Sequence, residues 1–414
     1  MTAFCYLIVA SALHDATAVD RVTAGARATL DAAGGIRVTS VDEHPGSPLA
    51  ILVGTGGTEA LILDQAAKRH AVVPYEPVLL LAHPLHNSLP ASLEAMARLH
   101  LDGRRGRIVQ IGEEAPVALA DAIGDVAAIH RLHATRLGLV GEPSGWLVAS
   151  VPDADAVCAR WGVELVPIDI GATISAHDAA DPGATRAVAV RFGGREEPAS
   201  ELVTASALHP ALVETIERAG VDAVTVRCFD FLESLSTSGC VALAALNDAG
   251  VVAGCEGDVA SAVAMLLVQA VTGQASWIAN PATIDVAGNR MVLAHCTVAP
   301  SLVEDVELHT HFESGLGIGL RGRFTPGPVT LLRLGGRELE RCWIAEAEIE
   351  DAGDAPDLCR TQVTVRLAGA NVGTLLDDPL GNHLVMLHGH HRTRIEQWWR
   401  LAFGLDGAAP ATGS

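Results

Sequence analysis

The stretch GCEGD, residues 254–258, sets a thiol and two acids between an apolar strand and a long apolar helix. Glu256 and Asp258 would lie just past the carboxyl end of a parallel strand, where open α/β sheets gather their ligands. Asp258 also stands where a helix N-cap is needed, so capping and metal ligation both remain open for it. Glu256 has no capping role, and an ionised carboxylate in so apolar a segment needs a partner. Clustered carboxylates of this kind bind a divalent ion or move protons.

Histidines supply the other candidate groups. In DVELHTHFESG (305–315) strand alternation puts Glu307, His309, His311 and Glu313 on one face, either a functional polar face or simply the solvated side of a strand. LAHCTVAP carries His295 beside Cys296, and DDPLGNHLVMLHGHHRTR holds His383, His388, His390 and His391. A histidine-rich tract can bind metal, and exposed loops also collect histidines. Arg360, in CRTQ, can grip substrate oxygens or form a structural ion pair. Asn382 precedes His383 in a turn. His295, His309, His311, Arg360 and Asn382 are the candidate substrate contacts, Glu256 a candidate catalytic acid or base, and Cys255 and Cys296 the candidate thiols. The glycine-rich GTGGTEA (54–60) fits neither a Walker loop nor a dinucleotide fingerprint and reads as a tight βα turn.

These residues need a scaffold. FCYLIVAS, PLAILVG, PVLLLAHP, GRIVQIG and TRLGLVG read as short buried strands alternating with helices, which predicts a doubly wound parallel sheet over 1–155. VELVPIDI, AVTVRCFDFL and VVAGC predict a second such α/β domain over 156–288. From 289 to 414 strands follow one another with turn residues between, as in a β-rich, barrel-like domain closed by the helix HRTRIEQWWRLAFGLD. The fold class is thus α/β, with two doubly wound domains and a β-rich third.

Composition excludes several functions. The 414 residues are 49% apolar and 19% charged, as in a folded globular protein, and the net charge of −21 opposes binding to nucleic acid or an anionic membrane. Lys68 is the sole lysine, in an exposed helix end, which disfavours Schiff-base and pyridoxal chemistry. Eight scattered cysteines without C-x-x-C spacing, no secretory signal and no apolar run long enough for a bilayer predict reduced thiols and a cytoplasmic location.

GCEGDVASAVAMLLVQAVTG, LAHCTVAP and LGNHLVMLHGHH, with HNSLPASLEAMARL and GEPSGWLVAS before them, together resemble the L-fucose isomerase and L-arabinose isomerase superfamily, as a short divergent branch. That resemblance implies two α/β domains and a β-rich domain, a metal-dependent aldose–ketose isomerase acting through an enediol, a carbohydrate substrate, Mn²⁺ (or Mg²⁺) as cofactor, and a homo-oligomer. It implies metal ligation by Asp258, by His383 in GNH, and by an acid about two dozen residues before Asp258, for which Glu233 is the candidate, with Glu233, Asp258 and Glu256 serving catalysis. The alternatives are an enzyme of another class on the same scaffold, such as a lyase or a cysteine-based carbon–sulfur enzyme, and a non-catalytic sugar-binding protein.

Overall fold

A computed structural model describes residues 3–112, 115–194 and 196–404. The chain divides into two compact units, one running to Arg131 and taking in the chain from Gln397, the other running from Leu132 to Glu396.

The first unit holds a five-stranded parallel sheet in the order β2-β1-β3-β4-β5. Its elements are β1 (Phe4–Val9), α1 (Ala16–Ala32), β2 (Gly35–Val38), β3 (Leu49–Val53), α2 (Glu59–Val72), β4 (Val78–Ala82), α3 (Ser88–Leu101), β5 (Gly106–Gln110) and α4 (Ala115–His133). β3 and β4 are buried at every residue, as continuous apolar runs between two covered faces must be. GTGGTEA forms the tight turn from β3 into α2, with Gly57 left-handed at φ 70°.

The second unit opens with a four-stranded parallel sheet, order β7-β6-β8-β9. It comprises β6 (Arg136–Val140), α5 (Ala154–Trp161), β7 (Glu164–Ile168), α6 (Ile170–Asp178), α7 (Pro182–Gly193), α8 (Ser200–Ala219), β8 (Ala223–Val226), α9 (Phe229–Leu235), α10 (Cys240–Asp248), β9 (Ala253–Cys255) and α11 (Val259–Thr272). TRLGLVG, read as a strand of the first sheet, is β6 and pairs with β7 and β8. AVTVRCFDFL is strand only to Val226; the chain then turns at Cys228 into α9.

A closed six-stranded antiparallel barrel follows in the same unit, order β10-β11-β16-β15-β14-β17. Its strands are β10 (Trp277–Asp285), β11 (Arg290–His295), β14 (Gly327–Gly335), β15 (Arg341–Asp351), β16 (Thr361–Ala368) and β17 (Leu384–His388). A two-stranded ribbon, β12 (Val306–His309) and β13 (Gly319–Gly322), lies between β11 and β14 in sequence, α12 (Thr374–Asp377) precedes β17, and α13 (Arg392–Phe403) follows it. No helix among the described residues is long and apolar enough to cross a membrane.

α11 joins the parallel sheet to the barrel. It is buried around nearly its whole circumference and packs on β9, β14 and β17. A helix apolar on all sides is stable only when enclosed in this way. Its first turn is therefore fixed against both layers, and so is the GCEGD turn that feeds it.

That turn rests on Gly257, which is left-handed at φ 72°, and a Cβ there would lie 2.8 Å from Pro143 Cα. The obstacle is backbone and cannot swing aside. Gly257→Ala is expected to lower stability by about 1–3 kcal/mol from the backbone strain alone, read as a lower urea midpoint.

Candidate metal centre

β9 ends at Cys255 and the chain reverses through two left-handed residues, Glu256 (φ 63°) and Gly257, before Asp258 caps α11. A left-handed non-glycine residue costs energy and persists only where its surroundings enforce it. Here Glu256 O accepts from Ser144 N at 2.9 Å and Gly257 N donates to Val226 O at 3.0 Å. The strain aims the Glu256 side chain at the barrel end.

Two histidines meet it there. His295 is the last residue of β11, and His383 lies one residue before β17. β11 and β17 flank β10, and the register pairs Ala294 with Asn280 and Leu384 with Ala279. The imidazoles consequently stand at the same level on either side of β10, ring centroids 5.5 Å apart. Glu256 Oε1 is 3.7 Å from His295 Nε2 and 3.5 Å from His383 Nε2, while Oε2 accepts the Trp146 indole N–H at 2.7 Å. Glu256, His295 and His383 each offer a ligand atom within 4.8 Å of the other two.

Asp258 stands behind this group, fully buried. Its Oδ1 accepts from Ser261 N at 2.8 Å, which is the helix cap. Its Oδ2 accepts from Ser261 Oγ at 2.9 Å, Arg333 Nη1 at 3.0 Å and His383 Nδ1 at 2.8 Å. Arg333, on β14, also donates to Ser261 Oγ and Ser150 Oγ. With both oxygens engaged by protein donors, Asp258 orients His383 from behind.

The buried Nε2 of His383 has no hydrogen-bond partner among the described residues. A histidine whose Nδ1–H is anchored on a carboxylate and whose Nε2 is left bare has the arrangement of a metal ligand with its outer partner. Glu256 and the two imidazoles therefore fit a divalent cation.

The charges are strongly coupled. Burial works against the imidazolium of His383, but the hydrogen bond to Asp258 and the nearby Glu256 carboxylate outweigh it and raise the pKa to about 9. Burial also disfavours the Asp258 carboxylate, yet the Arg333 charge and His383 bring its pKa down to about 2. Glu256 is held below the usual carboxylate range because the neighbouring imidazoles of His295 and His383 overcome its desolvation.

Other residues singled out in the sequence lie apart from this group. Glu233, the acid that the resemblance implies, is exposed on α9, and Glu256 is the acid that meets the histidines. His309 pairs with Glu307 on the ribbon at 3.3 Å. His311 lies beyond the strand end, its Nδ1 3.1 Å from Ser314 Oγ and its ring edge-on to Phe229. Arg360 donates to Thr310 O at 2.8 Å. Asn382, beside His383, donates to Asn280 Oδ1 at 3.3 Å. Cys255 Sγ contacts Thr297 Oγ1 at 3.2 Å, and the Cys296 thiol is held below its usual range, chiefly by Cys359, against the effect of its burial. His388, His390 and His391 have separate partners in Leu302 O, Glu348 and Gln274. Sequence reasoning missed Trp146 and Arg333. The signal for Arg333 was present: a lone charge inside GPVTLLRLGG needs a buried partner.

No protein-family model matches the chain. It is similar to the sulfoquinovose isomerase of Clostridium sp. (strain MSTE9), 28% identical over 239 residues, covering 51% of this chain and 53% of that protein. It is also similar to the sulfoquinovose isomerase of Alkalicoccus urumqiensis, 28% identical over 131 residues, covering 30% of each. The chain spans about half the length of the first of these curated relatives and less than a third of the second.

Asp258→Asn removes the charge that balances buried Arg333 and weakens the anchor of His383. It is expected to lower stability by about 3–5 kcal/mol and metal affinity about 10–100-fold, read by urea unfolding and calorimetry. A second expectation concerns pH. The folded pKa of His383, about 9, lies above its ordinary 6.5, so its ion pairs stabilise the metal-free protein fully below pH 6.5 and are lost as pH rises through about 9. A divalent cation must displace that proton, so metal affinity should rise with pH up to about 9, with proton release visible as buffer-dependent binding heat.

Proposed function

We propose that the chain is an aldose–ketose isomerase whose divalent cation is held by Glu256, His295 and His383. The observation that carries this reading is the bare Nε2 of His383, set between Glu256 and His295 and anchored behind by Asp258. The likeness to two sugar isomerases supports it and makes sulfoquinovose the first substrate to test.

When bound, the cation supplies a Lewis acid for a sugar carbonyl and its neighbouring hydroxyl. The remaining work belongs to this chain. Asp258 and Arg333 hold His383 in one tautomer and one orientation. Trp146 takes one oxygen of Glu256 and leaves the other facing the imidazoles. The reaction moves the proton on C2 to C1 and the O2 hydroxyl proton to O1, so C2 is oxidised as C1 is reduced and no outside electron acceptor is needed. Glu256, kept ionised by the two imidazoles, serves as the charged ligand of the cation rather than as the base, since a carboxylate so strongly depressed takes a proton poorly.

Two imidazoles and one carboxylate suit manganese better than magnesium, which prefers oxygen alone. The same donor set is used for ferrous iron, and this favours a second reading, a non-haem iron enzyme. Metal-stripped protein reloaded separately with Mn²⁺, Mg²⁺ and Fe²⁺ distinguishes them. About one cation per chain and Mn²⁺-dependent ketose formation from an aldose are expected. Glu256→Gln and His383→Ala are each expected to abolish turnover while the protein remains folded. An iron-specific, oxygen-consuming activity without ketose would overturn the isomerase.

A further inference from the structure

Trp146 is arranged in reverse of an ordinary surface tryptophan. Such residues bury the apolar ring and leave the N–H wet. Here the polar end points inward, donating to Glu256 Oε2 at 2.7 Å, and the residue is 53% exposed. The other five tryptophans are at most 3% exposed. The indole is held in place: it packs edge-to-face on Phe229 with centroids 5.0 Å apart, and its loop is tied to the metal-site turn through Ser144 N and Glu256 O. A half-exposed aromatic ring, anchored at its N–H, therefore adjoins the carboxylate most central to the site.

We propose that Trp146 is both the sugar platform of this site and the positioning residue of Glu256. Its half-exposed indole ring stacks on the apolar C–H face of a polyhydroxylated carbon chain or ring, while its N–H fixes the rotation of the carboxylate. This rests on the isomerase reading for the identity of the ligand, and it adds a specificity role that the metal ligands do not supply. A flat aromatic surface selects sugars by the face on which their C–H bonds cluster, so epimers that break this face with a hydroxyl should bind less well. The division of Glu256 follows from the same contact: Oε2 held by the indole, Oε1 left for the cation side.

The test uses manganese-loaded protein and acrylamide quenching of tryptophan fluorescence. Because the other five tryptophans are buried, the quenchable fraction should vanish in Trp146→Phe. Saturating aldose, or the linear alditol of the same chain length, should at least halve quenching of the unmodified protein. Kinetics then separate the two roles. Trp146→Phe keeps a ring and loses the N–H, so kcat should fall about tenfold and its pH profile shift, with KM changed less than about threefold. Trp146→Leu should in addition raise KM about tenfold. Unchanged quenching under turnover, or identical kcat and KM in both variants, would overturn the proposal. So would protection that grows with protein concentration in the absence of sugar, which would mark a contact between copies. Protection by the alditol without any turnover would keep the platform and remove the isomerase reading.

Discussion

Asp258 and Arg333 have no access to water, and the desolvation of two such charges is repaid only if nearly every lone pair and N–H finds a partner. The structure meets that condition by drawing four segments to one point. The first turn of α11 supplies Asp258 and Ser261, β14 supplies Arg333, the turn before β17 supplies His383, and the loop after β6 supplies Ser150. A hydrophobic cluster could fill the same volume with equal stability, but it could not set a tautomer. The ion pair leaves His383 one way to place its Nδ1 proton, and so decides which nitrogen faces Glu256. Gly381 makes room for this: a Cβ there would fall 2.3 Å from Arg333 Nη2.

Barrel closure does for the histidines what the ion pair does for the ring. On an open sheet, residues as far apart in sequence as 295 and 383 would share a level only if the register held without support. With β17 and β11 both bonded to β10, a slip on one side would break the closed ladder and flip every side chain on that strand. The strained Glu256 backbone then has a fixed target, and the energy stored in that residue is offset by the tight packing of α11 and of the Pro143 segment around the turn.

Parallel strands such as PLAILVG and PVLLLAHP were legible because burial on both faces leaves an uninterrupted apolar run. The barrel was legible from strands following one another without helices. β2, only four residues with two of them exposed, carries no such signature. AVTVRCFDFL misleads because its apolar residues satisfy a strand and a short helix equally, and the turn at Cys228 has no glycine or proline to announce it. The choice of Glu233 followed from the spacing that the family resemblance implies. Glu256 was legible from the residues themselves, as a carboxylate with no capping role in an apolar run, and His383 as a ligand through the family resemblance. Their association with His295 was not, because it depends on which barrel strands are neighbours. Trp146 was beyond reach for another reason: its sequence shows an aromatic in a polar loop, and only tertiary structure shows that the wrong end of it is buried.

The division of labour within GCEGD then follows from charge. Glu256 and Asp258 carry two negative charges and Arg333 one positive, so, leaving the imidazoles aside, the buried cluster is short of one positive charge. A proton on His383 makes up the deficit and closes the site electrostatically. Under the proposed function, a divalent cation would overshoot it and leave a single positive charge facing the pocket, the sign needed where a sugar oxygen becomes more negative as its carbon loses a proton. Placing Arg333 behind Asp258, rather than in the pocket, matters for this. A guanidinium facing the pocket would supply the same charge in both states, whereas one sealed behind the carboxylate would let the pocket's polarity depend on whether His383 held a proton or the proposed cation.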